Sequence, residues 1–60
     1  MEILTITELM RLTRIELCAL IRQITDALPR FPEGSRERQN ALINLCNIRK
    51  VLAWRRDLSP

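Results

Sequence analysis

Leu17, Leu20, Ile21, Ile24 and Leu28 recur at the three-, four- and seven-residue steps that put side chains on one face of an α-helix. The spacing predicts a helix over 14–28, with Arg14, Glu16, Arg22, Gln23 and Asp26 mainly on its solvated side. A matching stripe, Ala41, Leu42, Leu45, Ile48 and Leu52, predicts a longer helix over 36–56 and a frayed tail over 57–60. This second helix is apolar on another side too. At 100° per residue, Ile43 and Trp54 lie about 160 to 180° from Leu45, in a row with Asn47 and Lys50. A helix apolar on two sides is usually covered on two sides. A short N-terminal helix carrying Ile6, Leu9 and Met10 is expected to cover one, and a second protomer the other.

Local grammar sets the boundaries. Thr5-Ile6-Thr7-Glu8 is a capping box, in which the threonine hydroxyl and the glutamate carboxylate satisfy free amides reciprocally, and Leu4 and Leu9 stand where a hydrophobic staple would place them. The grammar recurs in Thr13-Arg14-Ile15-Glu16, flanked by Leu12 and Leu17. Two boxes in tandem predict a short helix over 6–12 that ends as the next begins at 14; one continuous helix through Thr13 is the alternative. Between the long helices, residues 29–35 hold two of the three prolines and the only glycine. Pro29 and Pro32 disfavour helix at Leu28 and Phe31, so a rigid corner is expected there. Ser35 then caps the next helix, with Glu33 and Glu37 beside the positive end of its dipole.

Sixty residues allow one domain, 1–60, of a size at which a single core is marginal. The chain nevertheless carries 22 large apolar residues (Met, Ile, Leu, Val, Phe and Trp), more than two packed helices can bury. That surplus implies an oligomer: an all-α antiparallel helical hairpin with a short N-terminal helix, dimerising into a four-helix-bundle-like assembly. Ten basic against seven acidic residues give a net charge of +3, which permits a phosphate or acidic partner without requiring one. No apolar run approaches the roughly 18 residues of a membrane span, and the N-terminus lacks the pattern of a signal peptide. A cytoplasmic location is therefore expected, with no membrane partner. The layout resembles that of the small plasmid-encoded RNA-binding regulators of the Rop family in length and architecture alone, with no motif matched residue by residue.

Chemistry-bearing groups are few. There is no histidine, no tyrosine and no glycine-rich phosphate loop, and the two serines fall in a cap and in the tail. No catalytic residue, cofactor, metal or small-molecule substrate is assigned, and a non-enzymatic protein is expected. Cys18 and Cys46 are symmetric about position 32, at one height on facing helices of a hairpin. Without histidine or a close cysteine pair, they are read as small buried packing residues with reduced thiols, not as a redox clasp or half of a soft-metal site. Two surfaces remain. Phe31, Ile43, Asn47, Lys50 and Trp54 form a candidate protein interface, apolar and aromatic as interface anchors are. Arg11, Arg14, Arg49, Lys50, Arg55 and Arg56 form a basic end that is the alternative, a nucleic-acid surface. The first implies a protein-interaction module, a regulator, antagonist or assembly subunit; the second implies a small dimeric RNA- or DNA-binding regulator.

Overall fold

A computed structural model describes residues 2–58, with the side chains of 56–58 left aside. Among the described residues it is all-α: α1 spans Ile6–Met10, α2 spans Arg14–Ala27, a single 3-10 turn spans Leu28–Arg30, and α3 spans Arg36–Leu58. α3 is the spine. Its 23 residues make a rod about 34 Å long at 1.5 Å per residue, which sets the longest dimension of the molecule, 41 Å. Both α1 and α2 pack against it.

Each boundary has a local cause. Both capping boxes form: the Thr5 hydroxyl accepts from the Glu8 N–H at 3.1 Å, and the Thr13 hydroxyl from the Glu16 N–H at 3.1 Å. The return bond is the tighter in the second box, where the Thr13 N–H donates to the Glu16 carboxylate at 2.8 Å. Thr13 has extended backbone angles, so the helix breaks there as the tandem boxes predict. α1 ends at Met10, two residues short of the expected 12. Leu4 and Leu12, the residues before each cap, pack against the core, and their staple partners Leu9 and Leu17 are buried in it.

The corner departs from expectation at one residue. Leu28, before Pro29, keeps right-handed helical angles, whereas Phe31, before Pro32, is extended. The reason is that Pro29 enters the first turn of a 3-10 helix, where its missing N–H has no partner to lose. The Phe31 N–H closes that turn on the Leu28 carbonyl at 3.1 Å. The Ser35 N–H then closes a second turn on the Pro32 carbonyl at 3.1 Å, with Gly34 at φ +78° in its third position, as a type II turn requires. Ser35 caps α3, its hydroxyl accepting from the Arg38 N–H at 3.2 Å.

The core comprises Leu9, Leu17, Ile24, Ala41, Leu45, Ile48 and Val51. From α2 into the turn after it, the buried and half-buried residues are those of the expected stripe together with Ala27. On α3 the stripe is turned: Val51 and Asn44 are buried while Leu42 is exposed, which centres the inner face on Ile48, about 60° round from Leu45 at 100° per residue. α3 receives α2 on one side and α1 with the chain before it on the other, so its buried arc lies between the two. The helix backbone runs past the expected end at Arg56 to Leu58; the remaining tail, 59–60, lies outside the described residues.

Candidate protein-binding face

Turning the α3 stripe exposes a broad apolar face opposite the core. Leu42, Ile43 and Trp54 are 48%, 43% and 46% exposed, and Cys46 and Ala53 are exposed between them. Ile43 and Trp54 are eleven residues apart, roughly 16 Å along the axis. Arg49 and Lys50, both exposed, stand between the two ends of this face. Neither α1 nor α2 covers it, because each takes a flank of the Ile48-centred arc.

Between α2 and α3 this face dips into an open groove of about 530 Å³. Thr25 of α2 and Leu28 of the 3-10 turn line it on one side, and Leu42, Leu45 and Cys46 of α3 on the other. Arg49 and Lys50 complete the lining, and no acid contributes to it.

Of the expected interface residues, Ile43, Lys50 and Trp54 lie on this face and Asn47 is half-buried at its edge. Phe31 does not belong to it, since its ring is half-buried and packs against the core; an aromatic at a corner between packed helices finds cover within its own chain. Leu42 belongs to the face although the periodicity assigned it to the core. Ile15 of α2 is 82% exposed and was likewise not singled out, although it lies about 160° from Leu17 by the same rule.

Both cysteines are exposed and free, contrary to the expectation of buried packing residues. Each follows a buried leucine, Leu17 or Leu45, by one residue, and a 100° step carries it off the core face. Among the described residues no three histidine, cysteine, aspartate or glutamate side chains gather into a metal site. No helix there is long and apolar enough to cross a membrane.

The basic end is divided. Arg11, Arg14, Arg49 and Lys50 are exposed, but half-buried Arg55 donates to the Met10 carbonyl at the end of α1. Arg38 does the same for α2, donating to the Leu28 carbonyl at 3.2 Å. Arg55 thus satisfies a carbonyl at a helix C-terminus, and Arg38 adds a second donor to one that the Phe31 N–H already uses; at both ends positive charge complements the dipole. The Arg56 side chain lies outside the described residues. Compared with known proteins, the chain matches no protein family, no curated protein and no solved structure.

Proposed function

We propose that this chain is a small non-enzymatic protein-interaction module, a regulator, antagonist or assembly subunit, that works by laying the outward face of α3 against another polypeptide. The observation that carries this reading is the exposure of Leu42, Ile43 and Trp54 on the side of α3 opposite the core. Large apolar side chains exposed on one helix face mark interaction sites, and tryptophan is among the residues most enriched at their energetic centres. The expected antiparallel hairpin dimerising into a four-helix bundle is a separate part of the proposal. It draws support from Ile15 on α2 and Met10 on α1, exposed apolar residues that a second copy would cover away from the α3 face.

The competing class, an RNA- or DNA-binding regulator, rests on Arg11, Arg14, Arg49 and Lys50 and loses support at Arg55, which serves α1. The two classes separate experimentally. Affinity recovery from the native host with the tagged chain is expected to return a protein at moderate salt, and to lose it in Trp54→Ala when circular dichroism shows the helices intact. Truncating a central aromatic anchor typically costs about 2 kcal/mol or more of binding. Recovery of nuclease-sensitive material whose binding falls steeply with salt, and falls again when the four exposed cations become glutamine, would favour the competing class.

A further inference from the structure

We infer that the α2/α3 groove takes an acidic amphipathic helix from a different protein, an inference that rests on the protein-binding reading above and specifies its partner. The groove volume, about 530 Å³, falls within the range of small-molecule pockets. The groove lies open along one side, however, so a small ligand would keep much of its surface in water. A polypeptide laid along it would not. From Leu42 to Lys50 the α3 wall runs about 12 Å, a little over two helical turns. A third helix resting between two packed helices presents apolar side chains at i, i+3 or i+4, and i+7 over that length.

Charge selects among helices. The groove combines an apolar floor, Leu28, Leu42, Leu45 and Cys46, with two cations, Arg49 and Lys50, and no acid. A purely apolar partner would strip water from those cations without compensation, whereas carboxylates beside its apolar stripe would pair with them. The net charge of +3 also draws an acidic segment toward the surface. The same cations disfavour a second copy of the chain in this groove. The midpoint of the face from Leu42 to Trp54 along the helix axis is level with buried Ile48, so pairing it with itself, parallel or antiparallel, sets Arg49 and Lys50 within about one turn of the same pair on the copy.

The test is selection of helical peptides about 18 residues long from a phage-displayed library, panned on the full chain at about 0.15 M salt, where charges are screened beyond about 8 Å. Enriched peptides are expected to carry an apolar stripe flanked by Asp and Glu and to shield Cys46 from alkylation. Their affinity is expected to fall about tenfold or more, as for close interfacial charge pairs, in the doubly reversed Arg49→Glu, Lys50→Glu chain, and also to fall in Leu42→Ser, which removes floor without changing charge. Neutral or basic peptides that shield Cys46 would overturn the acidic partner and leave the binding face standing. Peptides that bind while leaving Cys46 reactive would place the site elsewhere and overturn the groove. Shielding of Cys46 that grows with protein concentration without peptide would give the groove to a second copy and overturn the inference. No enrichment at all would count against both the inference and the reading beneath it.

Discussion

The side-chain amide of Asn44 binds the backbone on both sides of Ile3: its Oδ1 accepts from the Leu4 N–H at 2.8 Å, and its Nδ2 donates to the Glu2 carbonyl at 2.8 Å. The amide thus offers the backbone around Ile3 the donor and the acceptor that a peptide group would. Asn44 is only 1% exposed, and among the described residues no buried side-chain nitrogen or oxygen lacks a partner. A buried polar group in the middle of the spine is thus satisfied by residues forty positions away, and it holds the chain before α1 against α3.

Asn44→Ala is expected to destabilise the chain by about 1 to 3 kcal/mol, the loss of two hydrogen bonds at about 0.5 to 1.5 kcal/mol each. Urea denaturation measures the loss, and hydrogen exchange at the Leu4 amide should show the local release. Asn44→Asp keeps an acceptor for Leu4 but has no donor for Glu2 and adds a charge, so it should be no milder. Unchanged stability and unchanged Leu4 protection would show that the bracket contributes nothing in solution.

The second capping box makes stability depend on pH. Hydrogen bonds from the Thr13 backbone N–H first, and its hydroxyl second, hold the Glu16 carboxyl below its ordinary value of 4.5. The folded chain therefore takes up this proton less readily than the unfolded chain. The contribution is fully present above pH 4.5 and is lost as pH falls through the lower folded value. Glu16→Gln retains an acceptor without titrating, so its deficit relative to the parent should shrink as pH is lowered from 7 toward 3, a range chosen to span the carboxylate pKa values. Thr13→Ala should cost about 1 kcal/mol as a lost N-cap, measured at neutral pH by thermal or urea unfolding.

What was legible in the sequence follows the reach of each interaction. The boxes at Thr5 and Thr13 and the cap at Ser35 are contacts across three residues, and they form where the sequence places them. The α2 stripe was legible because that helix meets the core on one side. The α3 stripe was not, because its orientation is the resultant of two neighbours, and Leu42 and Val51 exchange roles once α1 docks. Asn44 gave no signal at all: its worth comes from the Glu2 and Leu4 backbone, and no periodicity records a partner that distant. Of the candidate site, Ile43 and Trp54 were legible by angle alone. Phe31 was not, since its cover comes from the packing of the corner.

Gly34 offers a test of the corner in isolation. Its φ of +78° is unfavourable for residues with a side chain, yet a Cβ built there meets nothing within 4 Å. The whole effect of Gly34→Ala should therefore be backbone strain, about 1 to 2 kcal/mol. Gly34→Asn should cost less, because asparagine tolerates the left-handed region better. Equal costs for the two variants, or none, would contradict a type II turn between Pro32 and Ser35.

The outward face of α3 is tested most directly by photo-crosslinking in the native cell, with p-benzoyl-phenylalanine placed at Ile43 or Ala53 on that face and at Arg22 or Gln23 on the polar side of α2. Adducts with a polypeptide are expected from the first two positions and not from the second two. Their mass distinguishes a different protein from a second copy of the chain. Adducts formed equally from both sides, or nuclease-sensitive adducts at Ile43 and Ala53, would contradict a protein-binding face on α3.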